Sequence, residues 1–168
     1  EIPDSKLLLK TLAFDDRMTR ERFRTLFTEH GIASERITLI GFSHTPKEHF
    51  ERYGSIDIAL DPFPYHGTTT TCEALYMGVP VITLEEDEHR SRVGVSLLNQ
   101  VGLQNLIAKN EEDYVAIAST LALDLEALAD LRKTLRFRME KSPLMDEAGF
   151  TRGLENAYRV MWKKWTSR

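Results

Sequence analysis

The sequence predicts an α/β domain of the doubly wound, Rossmann-like class: a parallel sheet with helices on both faces, ending in a run of C-terminal helices. Three observations carry that prediction. Short apolar runs alternate with helix-periodic stretches through the first two thirds of the chain, the pattern of strand–helix–strand units that build a parallel sheet. The last third carries helical periodicity alone. The 168 residues, 42% hydrophobic and 29% charged, have the length and balance of one globular domain with a substantial core, taken here as residues 1–168.

Each element has its own signal. Leu7, Leu8 and Leu9 form an apolar run and predict a buried strand. Residues 18–30 predict a helix, with Phe23, Leu26 and Phe27 on one face and Gly31 as its stop. Residues 37–42 are rich in strand formers. Thr45-Pro46-Lys47 opens a short helix, with proline suited to a first turn. Residues 56–60 predict a third strand ending in Asp61-Pro62. The polar loop 65–69 leads into a helix through Tyr76, closed by Gly78 and Pro80. A fourth strand is predicted over 79–84, a helix over 92–101 and a brief last strand over 106–108. Asn110 begins a capping-box-like signal with Asp113, and Tyr114, Ile117, Ala118 and Leu121 share the face that follows. Leu125, Leu128, Leu131 and Leu135 mark another helix, and Ser142-Pro143 breaks it. Phe150, Leu154, Ala157, Met161 and Trp165 mark a last amphipathic helix.

Composition excludes several classes. The formal net charge is −4 with acids and bases interspersed, so the basic face of a nucleic-acid binder is missing. An anionic ligand must be held by a local pocket, not by a broad positive field. Cys72 is the only cysteine; an internal disulfide is impossible, a cysteine-built zinc site is not expected, and a reducing compartment is compatible. No apolar stretch approaches the roughly 20 residues that span a bilayer. The opening Glu1-Ile-Pro-Asp-Ser5 lacks the basic start and apolar core of a signal peptide. It reads as a loop leading into a strand, as in a chain cut from something longer, and the expected location is cytoplasmic.

The chemistry concentrates in Leu60-Asp-Pro-Phe-Pro-Tyr-His-Gly-Thr-Thr-Thr-Thr-Cys-Glu-Ala-Leu75. Four consecutive threonines suit a helix interior poorly, because β-branched side chains lose rotamer freedom there. They suit the point where a loop becomes a helix. A helix N-terminus offers unsatisfied N–H donors and a positive dipole end, which together fit a diphosphate. Gly67 lets the backbone approach such a ligand, and the segment follows the carboxyl end of a strand, where open α/β sheets bind ligands. Threonine is also an ordinary helix cap, so the residues alone leave anion binding and capping both open. Glu73, one turn in, can cap the helix or take a ribose hydroxyl. A second cluster spans Thr45, Lys47, His49 and Arg52: the cations can meet an anion and His49 can stack on a base. The alternative is a solvated amphipathic helix with Phe50 buried.

Taken in order, these segments resemble the C-terminal catalytic region of the protein O-linked N-acetylglucosamine transferases and their SPINDLY-like relatives. The resemblance runs through residues 60–84, then His89-Arg-Ser-Arg-Val-Gly-Val-Ser-Leu-Leu98, 101–103, Ser142-Pro-Leu144 and 150–162, nearly the whole chain. It implies the second, donor-binding half of a GT-B glycosyltransferase whose active site lies between two Rossmann-like domains. On the same resemblance, Pro46, Lys47 and His49 contact uridine, Arg52 matches a nearby arginine, Thr68, Thr69 and Thr70 with Gly67 form the diphosphate turn, and Glu73 lies at the ribose. His89 and Arg92 fall in the next family motif as second-rank candidates.

Three departures stand out. The stretch between Lys47 and His49 is one residue shorter than the family pattern. His66, also second-rank, stands where the family usually has Asn. The acidic run 85–88 replaces an expected glycine.

The implied reaction is transfer of a sugar, N-acetylglucosamine first among the candidates, from a UDP-sugar to a Ser or Thr of a protein acceptor. No metal and no other cofactor is implied, and no Asp-x-Asp motif is present. The family's phosphate-binding lysine and acceptor-side histidine lie upstream of anything matched here, as do its tetratricopeptide repeats. The expectation is therefore an inactive piece of a longer enzyme, with no catalytic residue of its own and no nucleic-acid or membrane partner. A non-catalytic nucleotide-binding or interaction module is the competing expectation, and an epimerase of related fold a third.

Overall fold

The computed structural model describes residues 2–167. The chain forms two compact units, one running through Ile56 and the other starting at Asp57.

In the first unit, β1 (Leu7–Lys10) pairs in parallel with β2 (Ile37–Ile40), Leu7 opposite Ile37 and Lys10 opposite Ile40. The connection holds a short 3₁₀ turn and α1 (Arg17–Glu29). Asp16 caps α1 by accepting the Thr19 N–H at 2.6 Å, the usual remedy for an orphan first-turn donor. Phe23 of α1 meets the buried Phe14 edge-on, ring centroids 5.0 Å apart. Gly31, at φ +76°, takes the left-handed conformation that ends the helix. The strand expected over 37–42 stops at Ile40, because the Phe42 N–H turns to the Asp15 carboxylate at 3.1 Å. A short helix, α2 (Pro46–Glu51), follows.

The second unit is a three-stranded parallel sheet in the order β3 (Ala59–Leu60), β4 (Val81–Leu84), β5 (Ile107–Ala108). All four residues of the central strand are buried, which explains why it is apolar on both faces apart from Thr83. α3 (Thr69–Tyr76) links β3 to β4, α4 (Val93–Gln100) links β4 to β5, and α5 (Glu111–Leu123), α6 (Leu125–Glu140) and α7 (Glu147–Thr166) complete the chain. Leu75, Val79, Ile82, Leu98, Leu103 and Leu135 form a core with almost no exposed surface, each such side chain contributing roughly 1.5–3 kcal/mol by burial. Arg136 pins α6 to α3, donating Nε to the Tyr76 carbonyl at 2.8 Å with its guanidinium over the Tyr76 ring.

Like β2, the three strands of this sheet are shorter than the sequence predicts. Ile56 donates to the Tyr53 carbonyl and closes a 3₁₀ turn instead of joining β3. Val79 is held by the Ala74 carbonyl at 2.8 Å as part of the end of α3, where Gly78 is left-handed at φ +79°. Leu106 belongs to a 3₁₀ turn before β5. The helices keep their expected positions, and Asn110 caps α5 by accepting the Asp113 N–H at 2.8 Å. Both tryptophans lie on α7, 67% and 69% exposed. No helix of the described residues is long and apolar enough to cross a membrane.

Candidate functional site

The turn between β3 and α3 is built from the inside outward. At the end of β3, Asp61 is buried and its N–H bonds the Ile82 carbonyl at 2.9 Å. Its Oδ1 accepts the Gly67 N–H at 2.8 Å, and its Oδ2 accepts the Thr83 hydroxyl at 2.8 Å. The Gly67 carbonyl in turn accepts the Thr71 hydroxyl at 3.0 Å. Both backbone polar groups of Gly67 are thus used within the protein. A Cβ at position 67 would meet Thr70 Oγ1 at 2.5 Å and Thr71 Oγ1 at 2.8 Å, so a side chain there would have to displace both hydroxyls.

The four threonines divide by environment. Thr71 is buried, whereas Thr68, Thr69 and Thr70 are exposed. Thr68 stands at the N-cap without capping through its side chain, and the first bond of the helix runs from the Cys72 N–H to the Thr68 carbonyl. The N–H groups of the first turn precede any intrahelical acceptor. They lie beyond the carboxyl end of β3, beside three exposed hydroxyls. Glu73 is half-buried one turn further along. Cys72 is half-buried as well, and burial foremost pushes its thiol up, an environment that disfavours the thiolate.

His66 does not open onto this surface: it is 1% exposed. Its Nδ1 accepts the Gly94 N–H at 3.1 Å and lies 3.6 Å from Asp61 Oδ2, while Thr83 Oγ1 sits 3.2 Å from Nδ1 and 3.4 Å from Nε2. Burial holds the Asp61 carboxyl above its ordinary range, although the Gly67 N–H, the Thr83 hydroxyl and His66 all pull it down. Tyr114 of α5 donates its hydroxyl to the Asp61 carbonyl at 2.9 Å, and burial raises its phenol strongly.

The second cluster belongs to the first unit. Thr45 caps α2 by accepting the Glu48 N–H at 3.1 Å. Lys47 is exposed, 3.7 Å from Glu51. The Nδ1 of His49 lies 2.9 Å from Lys10 Nζ, its ring edge-on to Phe50 and Tyr53. Arg52 pairs with Glu48 at 2.5 Å; that bond first, then the His44 N–H, holds the Glu48 carboxyl low.

The acidic run 85–88 is folded around cations. Glu85 binds Arg92 at 2.7 Å and also Lys109, and Arg92 donates to the Glu86 carbonyl at 3.0 Å. His89 is exposed in the 3₁₀ turn before α4. The described residues contain no cluster of three or more side chains placed to hold a metal. Asp61, Thr83, Gly94 and Tyr114 escape the sequence reading; a lone polar residue inside the four-residue apolar run of β4 is the one local sign of the network.

A parallel sheet with helices between its strands, and an uncapped, threonine-lined helix end beyond the carboxyl end of β3, mark a Rossmann-like α/β protein. The family is narrower. Residues 1–154 match the model of glycosyl transferase family 41, and the chain belongs to that family. It is 48% identical over 164 residues to a probable UDP-N-acetylglucosamine–peptide N-acetylglucosaminyltransferase SPINDLY of Hordeum vulgare, covering 98% of this chain and 17% of that one. A UDP-N-acetylglucosamine–peptide N-acetylglucosaminyltransferase of Caenorhabditis elegans is 31% identical over 147 residues, 88% of this chain and 13% of that one. Among solved structures, a mutant of the Thermobaculum terrenum O-GlcNAc transferase superposes with a TM-score of 0.90 at 39% identity, over 99% of this chain and 32% of that one. The chain therefore spans less than a third of the length of these relatives, and its fold is the Rossmann-like part of a GT-B transferase.

Proposed function

We propose that this chain is the donor-binding part of a glycosyltransferase that moves N-acetylglucosamine from UDP to a Ser or Thr hydroxyl of a protein. One observation carries the reading: in a chain of family 41, the start of α3 exposes Thr68, Thr69 and Thr70 with no side-chain cap. In the reaction the bond from the sugar's anomeric carbon to the β-phosphate oxygen breaks. A bond to the acceptor oxygen forms, and the hydroxyl proton leaves to a base. Negative charge grows on the departing diphosphate, so amides and hydroxyls fixed at the helix end act most strongly in the transition state.

Pro46, Lys47 and His49 are assigned to the uridine, Arg52 to the donor site beside them and Glu73 to the ribose on the family resemblance, with Gly67 giving the turn its close approach. His89 and Arg92 remain second-rank contacts. The diphosphate charge is met by protein groups without a metal. The acceptor-activating groups and any tetratricopeptide repeats are assigned to sequence outside residues 1–168, and the working compartment to the cytoplasm.

Titration of the chain with UDP beside ADP and GDP, by calorimetry, tests the assignment. Saturable binding selective for UDP is expected, unaffected by a chelator. Equal affinity for all three nucleotides would remove the uridine assignment.

A further inference from the structure

The β3–α3 turn is held from below by a closed polar network that includes none of the three exposed threonines. Four chain segments meet in it: the end of β3 through Asp61, the middle of β4 through Thr83, the loop through His66 and Gly67, and the first turn of α4 through Gly94. Asp61, His66 and Thr83 each have 3% exposure or less. The carboxylate divides its two oxygens, Oδ1 to the Gly67 N–H and Oδ2 to the Thr83 hydroxyl, both at 2.8 Å. Thr83 has one proton, and that bond uses it.

The imidazole closes the other side. Because Nδ1 accepts the Gly94 N–H at 3.1 Å, the proton of the neutral ring resides on Nε2, which faces Thr83 Oγ1 at 3.4 Å. Arg92, at the N-cap of α4, makes no side-chain cap, so the His66 ring serves as that cap from outside the helix. The His66 N–H meanwhile reaches the Arg90 carbonyl at 3.0 Å. Ring and backbone of one residue therefore anchor the turn to the segment leading into α4. The fit is tight: a Cβ at Gly94 would stand 2.4 Å from both Asp61 Oδ2 and Thr83 Oγ1.

We propose that His66, acting with Asp61, is a positioning residue for the diphosphate turn, locking Gly67 and the first turn of α3 to the N-terminus of α4 without touching the donor. The inference rests on the donor-binding reading of the preceding subsection. It assigns His66 a place beneath the site, and it predicts that Asn can serve at the same position: Asn Oδ1 lies close to where His Nδ1 lies and can accept the same N–H.

The test compares His66→Leu with His66→Asn in the 168-residue chain, following backbone amide shifts and hydrogen exchange without nucleotide and then UDP affinity. Leu removes the acceptor and leaves the buried Gly94 amide unpaired. Its expected effect is faster exchange at Gly94 and Gly67, shifted amides at Thr69 and Thr70, and UDP affinity lower by about tenfold. Asn is expected to restore the amide pattern and most of the affinity, which a merely space-filling role would not allow. Amides at 67–70 and a UDP affinity that stay unchanged in His66→Leu overturn the proposal, as does a change confined to Gly94.

Should the leucine variant not fold, Thr83→Val supplies the second arm. It keeps the shape of the side chain, removes the donor to Asp61, and must shift the Gly67 and Thr69 amides; an unmoved turn again overturns the proposal. A wild-type chain that binds no UDP rejects the functional reading only, because the coupling from His66 to residues 67–70 is measured without nucleotide.

Discussion

The Tyr114 hydroxyl donates to the backbone carbonyl of Asp61 at 2.9 Å, joining residues 53 apart in sequence. That bond ties the first turn of α5 to the last residue before the loop that carries the candidate site. The Phe63 ring stands edge-on to the same tyrosine, centroids 5.5 Å apart. Replacing Tyr114 by Phe keeps the ring contact and removes the hydrogen bond. Stability is expected to fall by about 0.5–1.5 kcal/mol, read as a lower denaturation midpoint. A variant as stable as the parent would show that water replaces the lost donor fully.

A methyl group at Gly94 tests the packing between β4 and α4. The added carbon meets Asp61 Oδ2 and Thr83 Oγ1 at 2.4 Å, both on buried side chains. Overpacking of this kind costs roughly 1–3 kcal/mol. Gly94→Ala is expected to lower the denaturant midpoint with an unchanged m-value, and a neutral result would show that the network can move apart.

Thr69→Val together with Thr70→Val removes two exposed hydroxyls while leaving the α3 backbone in place. UDP affinity is expected to fall by about tenfold, the order of the one or two lost hydrogen bonds. Thermal stability should barely change, since both side chains are on the surface. Unchanged affinity would sink the phosphate site.

Glu85 makes stability pH-dependent in a known direction. Lys109 first and Arg92 second hold its carboxyl below the ordinary value of 4.5. A carboxyl depressed in the folded state stabilises above that value, and the contribution is lost as pH falls through the folded one. Glu85→Gln is expected to lose up to about 1 kcal/mol at neutral pH and to match the parent in acid. Melting curves across that range decide it, and a constant gap at every pH would assign the effect to packing.

Much of this architecture was legible in the sequence, and the reasons differ by element. The helices could be placed because their signals are local: Thr45 and Asn110 stand where the two helices they cap begin, and Gly31 and Gly78 end helices where the left-handed conformation is needed. Strand ends were less legible, because pairing depends on distant partners; nothing local says that Val79 belongs to a helix cap while Val81 belongs to β4. The exposed threonines of the candidate site could be read from the TTTT run, since β-branched hydroxyls at a loop–helix junction are unusual. The Asp61 network could not. Its members are spread from position 61 to position 114, and each is unremarkable until the sheet brings them together.

The exposed α7 has an optical consequence. Trp162 and Trp165 are the chain's only tryptophans, and both face solvent while the core is lined with aliphatic side chains. Native emission from this chain should already lie near the red limit of a hydrated indole, and melting the β-sheet should scarcely move it. Anything that comes to rest on α7 should shift the emission to the blue. Fluorescence of this protein therefore senses what covers its last helix, and dichroism is the probe that follows its core.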